Sequence, residues 1–335
     1  MSVKNKDIVI TGSAVMPEDE VTEQIGGAED RTRKMSFANL VAAGDWEAVS
    51  SHASDTMNVT LYGHLSTGDD ANDVKALNGQ TPVAFDGTWH CALKAVKAAG
   101  SANGDIAVMA QTNTHSGTAQ GGGVDYIDLD ATASDVEGTY DHMVIRPTNN
   151  TPAGIQYSLR EIIWYQGGTN RRAWVNKDWA YTPTAATTYE IAVGMVFDLG
   201  PGALEFEEVR SIFMNVAAEQ EGGSEVIVYE KVFAHNKSAT TLTKAKIAEV
   251  DEGAYALCDF DLESSLDGTD DNGAGNNRAV APGGYTFNSD QKDVPNSGNL
   301  TGGSSVGIWI KATIPAGTAG QKTFWKPSLT GQSIG

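Results

Sequence analysis

Residues 224–236, SEVIVYEKVFAHN, carry the densest strand pattern in the chain. Val226, Val228, Glu230, Val232 and Ala234 fall on one parity, and Ile227, Tyr229, Lys231 and Phe233 on the other. Both parities are largely apolar, which predicts a long strand covered on both faces. A looser period-two pattern follows at Leu242, Ala245, Ile247 and Val250. In 255–262, Ala256, Cys258, Phe260 and Leu262 alternate against Leu257, Asp259 and Asp261, which predicts a strand with one wet face. In 306–314, Val306, Ile308 and Ile310 oppose Trp309 and Lys311, and Pro315 stops the run.

Nearer the start, 7–10 predicts a short strand, and Met16, Pro17 and the acidic run through Glu23 predict a loop. Alternation resumes in MSFANLV, in WEAVSS and in MNVTLYGHL. Asn78-Gly79 predicts a tight turn. Residues 90–98, HCALKAVKA, predict a strand that pairs with 106–110 across 100–104. The Thr, Ser and Gly of 113–123 predict a linker. Beyond it, 143–146 predicts a strand, and 160–165 with 171–176 predict a hairpin around Gly167-Gly168. Many strands with Gly, Asn and Asp between them and no helical period give an all-β expectation: antiparallel β-sandwich domains in tandem, with a small inserted β module. The expected boundaries are an N-terminal sandwich over 1–118, the module over 119–200, ending at the Gly200-Pro201-Gly202 turn, and a C-terminal sandwich over 201–335.

The strand YEKVFAHN, Arg278 with APGGYTF after a loop, and the final VGIWIKATIPAG resemble the C-terminal domain of virion structural proteins of tailed bacteriophages. The stretch AVSSHASDTMNVTLYGHLSTGD resembles the N-terminal sandwich that commonly precedes that domain. Between them, Arg160, Ile162, Tyr165, Gly168, Arg171, Ala173, Val175, Trp179, Pro183, Tyr189 and Ile191 resemble a small β module of phage virion and fibre proteins. The Gly-Gln that usually precedes its arginine strand is here Gly154, Ile155, Gln156.

Composition and charge narrow the functional classes. The 37 glycines belong to turns, because a chain that is 40% hydrophobic is too apolar to stay unfolded. A net charge of -20 repels polyanions, and the basic clusters Arg31, Arg33, Lys34 and Arg171, Arg172 are too small for a nucleic-acid groove. No apolar signal segment and no eighteen-residue apolar run is present, so neither export nor a membrane span is expected. Cys91 and Cys258, far apart and each within a predicted strand, read as buried free thiols of a protein made in a reducing cytoplasm. In that compartment the sequons at Asn58, Asn149, Asn236 and Asn299 carry no glycan.

Candidate chemistry is sparse. The six histidines, His52, His64, His90, His115, His142 and His235, lack zinc spacing. Gly303-Ser304-Ser305-Val306-Gly307 has the letters of a nucleophile elbow but is followed by a strand pattern. Gly320-Gln321-Lys322-Thr323 falls short of a phosphate loop. Paired carboxylates are too common in this chain to mark a glycosidase dyad. Asp267, Asp270, Asp271 and Asn272 form a loop with calcium-ligand chemistry, although Arg278 stands where an EF-hand needs its bidentate Glu. Trp164, Tyr165, Trp174, Trp179 and Tyr181 read either as the module's small core or as a sugar-binding platform.

No catalytic residue, cofactor or metal ligand is therefore expected. The resemblance implies a non-enzymatic virion protein, foremost an accessory capsid protein that decorates or cements the outer shell. A tail-tube or tail-tip subunit and a receptor- or glycan-binding fibre protein are the alternatives. The implied partners are the major capsid protein or neighbouring virion subunits and further copies of the chain, a trimer by preference, without nucleic acid or membrane. The implied location is the virion, after synthesis in the host bacterial cytoplasm.

Overall fold

The computed structural model describes residues 3–16, 24–35, 40–98, 102–197, 206–209, 224–252, 257–316 and 325–333. The chain divides into two compact units, one of residues 1–35 with 211–335, the other of residues 36–210. The expected all-β class is what the structure has: the strand pairings whose register is described are antiparallel, and the helical turns described are Asn5–Asp7 and Pro295–Gly298. No helix among the described residues is long and apolar enough to cross a membrane.

In the unit that carries the C-terminus, Val226–Asn236 lies between Ile8–Val15 and Ser305–Ile314. Leu257–Leu266 extends the sheet beyond Ser305–Ile314, and Gly26–Met35 extends it beyond Ile8–Val15. The division at 1–118 and 201–335 therefore differs from the observed one. A long, buried strand such as Val226–Asn236 needs partners for its N–H and C=O groups on both edges, and the first strand of the chain supplies one of them. A second sheet holds Lys292–Asp293, Leu242–Glu252 and Trp325–Ser333, with Leu242, Ala245 and Ile247 buried.

Both faces of Val226–Asn236 are covered, as its pattern predicts. On one face Val228, Ala312 and Cys258 pack together. On the other, Trp309 is fully buried among Ile25, Tyr229, Tyr285 and Phe287. Gly26 closes that pocket: its φ is +98°, and a Cβ there would fall 2.6 Å from the Trp309 ring. Leu257–Leu266 shows the expected wet face, with Cys258 and Phe260 buried and Leu257 exposed.

The other unit opens with a sandwich. One sheet contains Asp70–Ala76, Asn58–Leu65, Trp89–Lys97 and Phe206–Val209, with Val41–Gly44 also on Trp89–Lys97. The second contains Val83–Ala84, Trp46–Ser50, Ile106–Ala110 and Gly194–Phe197. Trp46, Val59, Leu61, Trp89, Ile106, Val108 and Phe197 share the core. The strand expected over 90–98 is present, but it does not pair with Ile106–Ala110. Both runs are apolar enough to sit in the interior, so they belong to different sheets and meet through side chains.

The module's sheet runs in the order His115–Thr118, Thr188–Ala192, Val144–Pro147, Arg160–Gln166, Arg172–Val175, Tyr126–Asp128, Gly121–Gly122. The linker expected over 113–123 is thus part of this sheet, supplying a strand at each edge. Strand pairing uses backbone groups that Thr, Ser and Gly possess like any other residue, so composition alone did not reveal it. The expected hairpin is present, with Gly168 at φ +72° in its turn.

The module leaves the sandwich after Ile106–Ala110 and returns at Gly194–Phe197, and these two strands pair with each other. It is inserted within the first sandwich rather than between two sandwiches. Val144, Leu159 and Ala192 of the module pack on Val49, Ala107, Met109 and Val196. Arg160 Nη1 donates to Asp105 Oδ2 at 2.9 Å across the same junction. The expected features at 17–23, 200–202 and 320–323, and part of 255–262, lie outside the described residues.

Replacing Trp309 with Ala removes a fully buried indole and is expected to destabilise the protein by about 3–5 kcal/mol. An unchanged midpoint in chemical denaturation would show that the indole is not the core of this sheet. Cys91 and Cys258 are buried and neither is in a disulfide. Native protein should therefore react slowly with a thiol reagent, while denatured protein titrates both thiols without prior reduction; finding no thiol after denaturation refutes the assignment.

Candidate binding surface

Successive residues of a strand point to opposite faces, and this rule divides the module's aromatic residues. Tyr165 is fully buried and Trp179 nearly so, packed with Ile127, Ile162, Ala173 and Val175. Trp174, between the core positions Ala173 and Val175, and Trp164, which a bulge after Ile162 turns outward beside buried Tyr165, lie off the core opposite one another in register. Tyr126, which the sequence pattern did not single out, stands opposite Trp174 on the next strand. Tyr181 is half exposed beside Gly154. The two readings of the cluster therefore each describe part of it: Tyr165 and Trp179 belong to the core, and Tyr126, Trp174 and Trp164 form a row on the outer face.

The row is tightly organised. The Tyr126 and Trp174 rings lie 5.0 Å apart, tilted by 54°, and the Trp164 and Trp174 rings 6.3 Å apart at 10°. Two register positions along, on the same face, Arg172 stands between Asp128 and Gln166. Its guanidinium lies 3.8 Å over the Tyr126 ring and donates to both Asp128 oxygens, at 2.7 and 3.2 Å. Trp164 Nε1 donates to Glu137 at 3.3 Å.

The 267–272 loop is committed to internal contacts. Asp267 accepts from Ser305 N, Asp270 accepts from the Tyr285 hydroxyl, Asp271 accepts from Gly273 N and Asn272 accepts from Ile25 N. An open depression of about 510 Å³ is lined by Thr269, Asp270, Asp271, Asn272, Gly273 and Gly283. Among the described residues, no group of three or more His, Cys, Asp or Glu is placed to hold a metal ion. Ser305, at the centre of the elbow-like letters, is buried at the start of a strand and hydrogen-bonds Asp267, with no helix behind it.

The basic clusters are likewise paired locally. Arg31 meets Glu29, Arg33 meets Asp30, and Arg171 donates to the Ala133 carbonyl.

The charged groups that sequence reasoning did not separate lie inside. Lys231 and Glu263 form an ion pair of 2.6 Å, with side chains 0% and 1% exposed. Burial pushes the lysine down and the carboxyl up, each opposed by its partner. Arg146 bridges Glu47 and Glu190, and Asp105 accepts from both Arg160 and Lys177. For Glu29, burial acts to raise the carboxyl, but contacts with His235, Thr11 and Arg31 prevail and hold it at about 2. Glu230 is the exception. It is fully buried, neither oxygen has a hydrogen-bond partner among the described residues, and burial drives it well above the usual range against the attraction of Arg278. The only signal for these groups in sequence is the Glu230-Lys231 pair inside an otherwise apolar run.

Comparison with family models, with curated proteins and with solved structures returns no match to this chain.

Glu230 retains its proton in the fold above pH 4.5, the ordinary value, whereas the unfolded chain releases it. Its contribution is nil below 4.5 and becomes increasingly destabilising as pH rises toward the folded value. Glu230→Gln should accordingly gain stability relative to the parent by about 1.4 kcal/mol per pH unit through that window, with no gain below it. Denaturation curves at pH 4 and pH 8 check this, and a difference between the two proteins that does not change with pH would contradict it.

Proposed function

We propose that this chain is a non-enzymatic structural protein of a tailed-phage virion, an accessory capsid protein bound to the outer shell. The observation that carries the reading is the placement of charge. Interior ionisable groups such as Lys231 with Glu263 and Arg160 with Asp105 fasten strands together, while the net charge of -20 is distributed over all-β units. Such a surface keeps subunits soluble before assembly and is disfavoured against packaged DNA, which supports an outer position.

The sheets also offer means of binding a neighbour. Asp70–Ala76 and Trp325–Ser333 each pair on one side only among the described residues, and Leu257 and Val250 are exposed apolar groups on strands. Strand addition and side-chain burial at such positions suit a protein that attaches to a repeating lattice. The implied partners are the major capsid protein or neighbouring virion subunits, with three copies around a local symmetry axis.

Capsids stripped of the protein and mixed with it again should regain resistance to heat and show added density on the outer face, because a shell-binding protein stabilises the assembled state. Tubes or rings formed by the isolated protein, or copies located only below the portal vertex, would assign it to the tail instead.

A further inference from the structure

We propose that the outer face of the module is a binding site for a neutral oligosaccharide, with Tyr126, Trp174 and Trp164 as its apolar floor. The inference goes beyond the virion assignment and does not depend on it. The row is not explained by folding. The inward residues of the same strands, Ile127, Ala173, Val175, Ile162 and Tyr165, already fill the module's core. Three large aromatic side chains on the opposite face add nothing to that core, and Trp164 remains 37% exposed. Tyr126 and Trp174 are partly exposed beside it, and a row of neighbouring aromatic residues that solvent reaches marks a surface that meets something else.

The polar groups around the row select the ligand class. Arg172 is the cation whose contacts place it on the row among the described residues, and both oxygens of Asp128 engage it, so its charge is already offset and does not wait for a phosphate, sulfate or carboxylate. With Glu137 at the Trp164 edge and a net charge of -20, an anionic ligand is disfavoured. What remains suitable is an uncharged molecule with a flat C–H face for the rings and hydroxyls at its rim. Pyranose sugars have that shape. Asp128, Gln166 and Glu137 supply acceptors and Arg172 and Gln166 donors for the hydroxyls, at positions adjacent to the rings.

Extent argues for more than one sugar unit. The row crosses three neighbouring strands, roughly 10 Å from first to last, and a single ring would leave part of it uncovered. Trp174 Nε1 adds a second pointer: it is a buried donor without an acceptor among the described residues. A small rotation of the indole on binding would give it a hydroxyl partner.

The test uses the full chain and defined probes: cellotetraose, maltotetraose, mannotetraose and chitotetraose, with a sialylated oligosaccharide as the charged control. Binding is read by tryptophan fluorescence and calorimetry. At least one neutral tetrasaccharide should bind with Kd below about 1 mM, and Trp164→Ala should weaken it about tenfold or more, with an unchanged thermal midpoint. Arg172→Ala, a second variant on the face, should also weaken it. The proposal is overturned if no neutral probe binds, if binding survives Trp164→Ala, or if the charged control binds better than every neutral one. It is equally overturned if Trp164→Ala abolishes capsid rebinding while no sugar binds, since the face would then be a protein interface.

Discussion

A lysine that is fully enclosed by a β-sheet has to be matched on every side, and Lys231 imposes that requirement on its whole unit. Its Nζ reaches Glu263 at 2.6 Å, the Gly27 carbonyl at 2.7 Å and the Asp270 carbonyl at 2.8 Å. Those acceptors come from three separate segments, so the lysine fixes where the second strand and the acidic loop lie relative to Val226–Asn236. Glu263 needs room in turn. A Cβ at Gly268 or Gly307 would collide with its carboxylate, so glycine at both places is part of the same arrangement. Desolvation offsets much of the attraction in a pair like this, so its principal effect is to select one packing over others.

The 36–210 unit uses the same device at a different place. Asp105 accepts from Arg160 and Lys177, which joins the module to the sandwich where Val144, Leu159 and Ala192 also pack. In both units charge is drawn inward to hold elements in register, and apolar rings are placed outward on the module. Rigidity thus comes from the interior, and the module's outer face is held in a fixed geometry.

The class of fold was readable because it depends on period-two patterns and turn residues, both local in sequence. Val226–Asn236, Leu257–Leu266 and the Arg160–Gln166 hairpin declared themselves in that way. Pairing was less readable, since the partner of a strand is set by side-chain packing between distant segments. Trp89–Lys97 and Ile106–Ala110 look like hairpin neighbours, yet they separate into two sheets, and the strand Ile8–Val15 joins one more than two hundred residues away. The candidate site was half legible. Trp164 and Trp174 were visible as aromatics near one another, but which of them faced outward, and that Tyr126 completed the row, follows only from register.

The insertion point of the module has a consequence for how the chain reaches this structure. Ile106–Ala110 and Gly194–Phe197 pair only after the whole module has been looped between them. Closing that loop as open coil restricts a long segment, whereas a module that has already condensed presents its two ends close together. Its own contacts are more local than the pairing that encloses it, which favours condensation of the module before the sandwich is sealed. The sandwich then inherits a short effective connection, and sequence change on the module's outer face leaves the closing strands undisturbed.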